Sequence, residues 1–345
     1  MRLVHIAKDS KEQELTALVQ RYTWTGHYQE AARKLELELA VSATDSSLPA
    51  VFIDLADMLM LFDDEGVELF RGYVFTKSKT LTGSTLSLTA YDGMIYLIKS
   101  QLSKLFTNVT AEQVARAICS ELAVEAGSMA VTAFPQSFPH LARTGYEAIM
   151  TAYTTASKHN GKLYMPRMNA GKLDVIEKGA TVARRLVLTD RHVVESTYSE
   201  DIEAMVNTVL ITDEKGNRFG SVSNPQWAVL YGKLQQVYQK EEGKDTATMA
   251  KALLQDLNRQ ASMELVGGTD AYDLIAGNAV QIREEYTGLT GLFYIDSDTH
   301  TFENGQHMVS LELNFRNVMD EQQADKLDQP KSSAEEDIFL ELNEY

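Results

Sequence analysis

Between residues 33 and 42 the chain places Leu35, Leu37, Leu39 and Val41 at every second position, with Lys34, Glu36 and Glu38 between them. An extended backbone turns that pattern into one apolar and one polar face, because successive side chains of a strand point to opposite sides. A single strand of this kind cannot bury its face alone and needs antiparallel neighbours. They follow in order: Met58–Phe62, an acidic turn at Asp63-Asp64-Glu65-Gly66, a strand over 67–76, a turn around Thr82-Gly83-Ser84, and the alternating run Leu86, Leu88, Ala90. With a short first strand over residues 2–7, residues 1–100 are expected to form a meander or small antiparallel β-barrel-like domain.

The texture changes near residue 100. Thr110 with Gln113, and Thr144 with Glu147, are capping-box pairs, in which a hydroxyl and an amide or carboxylate satisfy the free N–H groups of a helix start. Val114, Ile118 and Leu122 follow the first box at helical spacing. Tyr146, Ile149, Met150 and Tyr153 follow the second, and Asn160-Gly161 stops that helix. A Pro-containing loop over 134–139 separates the two. A hairpin turning at Met168-Asn169-Ala170-Gly171 completes a compact α+β module over 101–184.

Strands resume at 185–188, 193–198, 206–212 and 218–223, with a hairpin tip at Asp213-Glu214-Lys215-Gly216-Asn217. Asp245 caps an expected helix near 245–260 that carries Met249, Leu253 and Leu257, and Gly267-Gly268 lies beyond its end. Final strands at Ala279–Arg283, 291–295 and 308–315 make 185–319 a second β-barrel-like domain. The two β regions can be laid over each other. Met58–Phe62 matches Ala279–Arg283, Gly72-Tyr73-Val74-Phe75 matches Gly291-Leu292-Phe293-Tyr294-Ile295, and Leu86, Leu88, Ala90 match the alternating strand through Val309, Leu311 and Leu313. The expected fold class is α+β, mainly β: two small antiparallel β-barrel-like domains flanking an α+β module, followed by an acidic tail over 320–345.

Composition narrows the function. A chain of 345 residues with 44% hydrophobic side chains has enough interior for two or three cores without staples. Its one cysteine, Cys119, excludes an intramolecular disulfide or a multi-cysteine zinc site and reads as buried packing. A net charge of -17 opposes stable binding to nucleic acid, which needs clustered Lys and Arg. The start of the chain lacks the apolar run of a secretion signal, and no later run has the length of a membrane span, so no membrane insertion is expected. Residues 320–345 carry nine acids and two lysines, a net of -7 that leaves -10 for the rest. Within that tail, Ile338, Phe339 and Leu340 sit between acidic flanks. Such a segment is either a site that orders on a partner or a solvated end.

No set of side chains points to catalysis. Asp296, Asp298, His300 and His307 are of types that bind divalent metals and lie close in sequence. In a hairpin from 295 to 309, however, the even positions share the face opposite Ile295, which is also how a solvated polar face looks. We read the cluster as such a face. Asp270 with Asp273, and Glu284 with Glu285, are pairs that a chain with 49 acids produces by chance, and acid–base chemistry needs carboxylates opposed across a cleft. There is no phosphate-binding loop, dinucleotide fingerprint, nucleophile elbow or zinc-protease helix. Trp24 and Trp227 read as core. No catalytic residue, metal or cofactor is expected.

Five short motifs occur in a consistent order: Thr23-Trp24-Thr25-Gly26, Glu68-Leu69-Phe70-Arg71-Gly72, Thr89-Ala90-Tyr91-Asp92-Gly93-Met94-Ile95-Tyr96-Leu97, Tyr231-Gly232-Lys233-Leu234-Gln235 and Asp298-Thr299-His300-Thr301-Phe302. Their collinearity over residues 1–318 resembles the baseplate hub proteins of contractile phage tails and tailocins of the PBSX-like prophage type, a family similar to the T4-type central hub and late control D proteins. The resemblance implies a homotrimeric structural hub, with no catalysis and no cofactor, that joins the six-fold tail tube to the three-fold spike and forms part of the central channel. Implied partners are the tail tube protein, the spike protein, the tape measure protein and baseplate wedge or LysM-type adaptor proteins. The implied location is the particle baseplate after synthesis in a bacterial host cytoplasm. The acidic tail has no counterpart in the resemblance. Two other classes compete with this one: a tail-associated cell-wall hydrolase, for which the Asp296–His307 cluster would have to be catalytic, and a carbohydrate-binding module.

Overall fold

The computed structural model describes residues 1–30, 32–42, 49–80, 84–241 and 245–325. The chain divides into two compact units. One comprises Met1–Gln20, Tyr28–Lys178 and the chain from Val318; the other comprises Arg21–His27 and Gly179–Asn317. Both are mainly β, and the first also holds the longer helices.

In the first unit six antiparallel strands lie in the order Glu12–Glu14, Arg2–Ile6, Met58–Phe62, Glu68–Thr80, Thr85–Asp92, Lys34–Ala40. The alternation at 33–42 does what period two requires. Leu35, Leu37 and Leu39 are buried, Glu36 and Glu38 are exposed, and Leu37 sits opposite Leu88 on the neighbouring strand. The long strand Glu68–Thr80 pairs with Met58–Phe62 through its first half and with Thr85–Asp92 through its second, with a register shift between Val74 and Thr76. Two buried carboxyls brace this region. Asp57 lies 2.8 Å from His5 Nε2, and Asp92 accepts the Met94 N–H at 3.0 Å.

The α+β module packs the helices Ala111–Glu121 and Gly145–Asn160 over one core that includes Ile118, Ile149, Tyr153, Leu173 and Cys119. Both predicted helix starts are present. Thr110 N–H donates to Gln113 Oε1 at 2.9 Å. At the second box Thr144 N–H donates to Glu147 Oε2 at 2.8 Å while Thr144 Oγ1 accepts the Glu147 N–H at 3.2 Å. Gly161, at φ 74, ends the second helix as expected of a left-handed cap. The stretch read as a Pro-containing loop is instead largely strand: Gln136–Thr144 pairs with Gln101–Val109 in a two-stranded ribbon, a setting with enough free edge to accept Pro139.

The start of the acidic segment is held on this module. Met319 is buried in its core. Tyr146 Oη donates to Asp320 at 2.9 Å, Gln322 N–H donates to Thr154 Oγ1 at 3.0 Å, and Leu141 N–H donates to Asp325 at 2.8 Å. Six of the residues read as tail are therefore held on this module, against the second helix and the end of the strand Gln136–Thr144.

The second unit repeats the meander. Ala279–Arg283 pairs with the first half of Thr290–Glu303, whose second half pairs with Gln306–Asn314. Asn258–Val266 and Val193–Asp201 extend the sheet beyond Gln306–Asn314, and residues 21–27 pair on the other side of the long strand. Val182–Leu188 runs parallel to Ala279–Arg283. Phe293, Ile295, Val309, Leu311 and Leu313 fill the core.

Between the strands Val193–Asp201 and Asn258–Val266, the chain builds a separate three-stranded sheet in the order Arg218–Ser223, Thr208–Thr212, Gln235–Gln239. Its core is small: Val209, Ile211, Tyr238 and Ala250. The helix expected near 245–260 starts at the predicted Asp245 cap, whose carboxylate accepts the Ala247 N–H, but it covers only Thr246–Ala252. Leu253 and Leu254 complete the small core, and Gln255 then bridges to Val206 as an extended residue, so the later leucines do not continue the helix.

Candidate functional site

The sequence cluster at Asp296, Asp298, His300 and His307 is assembled by the Thr290–Glu303 and Gln306–Asn314 hairpin, but not as a solvated face. A register shift between Ile295 and Ser297 inserts an extra residue, and everything after it changes side. Asp298 and His300 therefore join Ile295 in the interior, both fully buried, while Ser297 and Thr299 take the outer face. Simple alternation from Ile295 gave the wrong side because it carried no bulge.

Inside, the buried polar groups of Asp298 and His300 are tied to protein. Asp298 Oδ1 accepts the Ala276 N–H at 2.6 Å. His300 Nε2 lies 3.1 Å from the Leu274 carbonyl, to which only a protonated nitrogen can donate, and His300 Nδ1 shares a hydrogen bond with His307 Nε2 at 3.0 Å. His307 Nδ1 is left buried without a hydrogen bond. The His307 ring stacks 4.0 Å from Phe302 and 5.4 Å from Tyr272, and Trp24 lies 4.8 Å from His300. Burial, then the neighbouring His300 and the Arg185 charge, push His307 down to about 3. The ring is neutral at ordinary pH and serves as packing. Asp296 stands apart and accepts from Asn314 at 2.8 Å. No group of three His, Cys, Asp or Glu side chains among the described residues is arranged to hold a metal ion.

The other carboxylate pairs are structural as well. Asp270 binds Arg185, and Asp273 binds Arg184 at 3.0 Å. Glu284 accepts the N–H groups of Tyr286 and Thr287 at 2.7 and 2.8 Å. Cys119 is buried, and burial pushes its thiol up to about 11. That makes it inert packing and not a nucleophile. Trp24 is buried as expected, whereas Trp227 is only half-buried, on a short helix that sequence reasoning missed. Asn224-Pro225, a cap residue followed by a first-turn proline, is the signal that marks that helix.

The surface features are of two kinds. On the outer face of the second unit's sheet a shallow groove of about 330 Å³ is lined by Glu195, Thr197, Ser262, Glu264, Ser310 and Glu312, and none of its lining residues is Lys or Arg. Glu195 stands directly opposite Glu264 in the strand register, a like-charge pair that costs stability. This wall is wet, anionic and hydroxyl-rich, and it has neither cation nor aromatic ring with which to hold a polyanion. The second kind is apolar: Phe52 is 82% exposed in the first unit, and Phe219, Val229 and Leu230 are 67%, 85% and 71% exposed in the second. The turn at Thr82-Gly83 and the cluster Ile338, Phe339, Leu340 lie outside the described residues. No helix among the described residues is long and apolar enough to cross a membrane.

Comparison with known proteins gives these features a context. A family model described as YQBQ-like matches residues 22–314. The chain is 24% identical to the phage-like element PBSX protein XkdQ of Bacillus subtilis, covering 92% of this chain and 98% of the relative. Among solved structures, the 43 kDa tail protein of prophage MuSo2 from Shewanella oneidensis matches with a TM-score of 0.69 at 15% identity, over 91% of this chain and 97% of the other. A tail protein from Neisseria meningitidis matches with a TM-score of 0.63 at 12% identity, over 90% and 95%.

The class the fold defines is thus that of phage tail proteins. Within that class, the chain belongs to the YQBQ-like family.

Proposed function

We propose that the chain is the homotrimeric central hub of a contractile tail or tailocin baseplate, set between the tail tube and the spike. The observation that carries this reading is the family match over residues 22–314, together with end-to-end likeness to a PBSX protein. The repeated meander supports a specific job. Two β-barrel-like tube domains, 1–100 and 185–319, with residues 21–27 paired into the second, taken three times offer six similar modules to a six-fold tube ring, while the trimer keeps three-fold symmetry for the spike. The α+β module over 101–184 and the small sheet around Thr208–Thr212 then stand as elaborations on the two tube domains.

In this reading the acidic, hydroxyl-rich face at Glu195, Glu264 and Glu312 lines part of the central channel. A passing polyanion is repelled by such a wall, whereas Lys and Arg would retain it. The face carries its like-charge cost because passage, not adhesion, is required there. The exposed Phe52 and Val229 are of the kind that assembly contacts cover. The tail tube, spike and tape measure proteins and wedge or LysM-type adaptors are the proposed neighbours, met after synthesis in the bacterial cytoplasm. Mass measurement in solution and on isolated particles tests the reading. Three copies per particle are expected, and a stable monomer absent from purified tails would sink it.

A further inference from the structure

Residues 318–325 follow the strand Gln306–Asn314 and form neither helix nor strand. Only Met319 among them is buried. The rest of their hold on the α+β module comes from bonds that have a side chain on at least one end. Asp320 accepts from Tyr146 Oη, Gln322 N–H donates to Thr154 Oγ1, and Asp325 accepts the Leu141 N–H. Lys158 pairs with Glu321 at 3.6 Å across an exposed surface, which is worth little.

Arg143 joins this segment to the helix Gly145–Asn160. Its Nη1 donates to the Gln323 carbonyl at 2.6 Å and its Nη2 to Gln322 Oε1 at 3.2 Å, while Nε and Nη2 reach Glu147 Oε1 at 3.2 and 3.1 Å. Nη1 also lies 3.5 Å from Asp325. Glu147 is the carboxylate of the Thr144 capping box, so one guanidinium fork spans the segment and the helix start. The box itself closes between Thr144 and Glu147 and does not need the segment.

A stretch with one buried side chain and no backbone ladder belongs to the low-stability end of a fold, and it can open while the elements beneath it stay folded. Opening still has a definite cost. The buried Tyr146 and Thr154 each lose a partner and Met319 leaves the core, so the closed state prevails. We propose that residues 318–325 are a strap that opens and closes as one unit on the α+β module, with Arg143 as its pin. Opening vacates the apolar place of Met319 beside a guanidinium and a phenol and leaves both capped helices standing.

Two amides report on the strap: Gln322 N–H, which lies on it, and Leu141 N–H, which lies on the module but is covered by the strap's Asp325. The test is amide hydrogen exchange of the full-length chain, resolved to single residues by mass spectrometry with electron-transfer fragmentation. After correction for intrinsic rates, the two amides should share one protection factor, at least about a hundredfold below that of the interior of Gly145–Asn160. Arg143→Ala should lower that shared factor about tenfold, the effect of losing hydrogen bonds from a charged group. Arg143→Lys keeps the charge without the fork and should restore only part of it. A disulfide joining Thr154→Cys to Gln322→Cys should raise the protection of Leu141 to the level of the helix. The unsubstituted chain and the disulfide variant carry the test if Arg143→Ala does not fold. Exchange of Leu141 and Gln322 only together with the helix, two unrelated protection factors, or a Leu141 factor that the disulfide leaves unmoved would overturn the proposal.

Discussion

The long strands Glu68–Thr80 and Thr290–Glu303 hold the same place in two meanders, yet they bury different chemistry. The first turns Phe70 and Val74 inward, and the meander's buried titratable groups, among them His5, Asp57 and Asp92, lie off that strand. The second turns Asp298 and His300 inward on the strand itself, and they are satisfied by Ala276 N–H and the Leu274 carbonyl of the adjoining loop. One backbone plan thus accepts an apolar or a polar centre, provided that a loop supplies the missing hydrogen bonds. The difference leaves a signature in stability that separates the units.

The largest effects should come where each meander leaves no room for a Cβ. One at Gly72 would stand 2.4 Å from the Tyr91 carbonyl oxygen, and one at Gly267 would stand 2.2 Å from the His307 ring. Gly72→Ala and Gly267→Ala are each expected to destabilise their own unit by about 3 kcal/mol. Hydrogen exchange resolved by peptide reads this unit by unit. If Gly267→Ala loosened both units equally, the separation drawn here would fail.

Next in size is the response to pH, which should have opposite sign in the two units. Burial pushes Asp92 up to about 7 from 3.8, against hydrogen bonds from Arg33 and Met94 and the Arg33 charge. The folded state therefore holds a proton that the unfolded state has lost, and this contribution is full below 3.8 and fades as pH rises toward 7. His307 is depressed to about 3 from 6.5, so its contribution is full above 6.5 and is lost as pH falls toward 3. Each slope is at most about 1.4 kcal/mol per pH unit, and less for His307, whose ring is partly reached by solvent. Exchange measured at pH 4.5 and 7.5 should show the second unit weaker in acid relative to the first. Asp92→Asn keeps an acceptor for Met94 and should flatten the first unit's slope alone; a slope that persists in the variant would assign it to another group.

The smallest expected effect concerns the acidic face. Glu195→Gln removes the like-charge pair with Glu264 and should raise stability by a few tenths of a kcal/mol, read from the urea midpoint. An unchanged midpoint at low salt would mean that the two carboxylates already avoid each other.

Much of this was legible from residue patterns. Period two at Leu35, Leu37 and Leu39 set the sheet, the Thr144 and Glu147 box set a helix start to the residue, and the overlay of Met58–Phe62 on Ala279–Arg283 marks two meanders, although Met58 facing Tyr73 and Ala279 facing Tyr294 put the match of Gly72 to Gly291 two residues out of register. What failed did so for identifiable reasons. The bulge after Ile295 has no local sequence mark, so alternation placed Asp298 and His300 in solvent when tertiary pairing puts them in the core. Leu253 and Leu257 keep helical spacing, but the bridge from Gln255 to Val206 overrides it. The pairing of Gln101–Val109 with Gln136–Thr144 spans a helix and a further strand, a long-range contact that short windows do not register.

The central claim is a hub that presents its acidic, hydroxyl-rich sheet face to a channel. Electron cryomicroscopy of the intact particle, at a resolution that traces this chain, tests it most directly. The account predicts three copies between tube and spike, with Glu195, Glu264 and Glu312 facing the lumen. Six copies, a position on the outside of the baseplate, or those glutamates turned into a protein interface would contradict it.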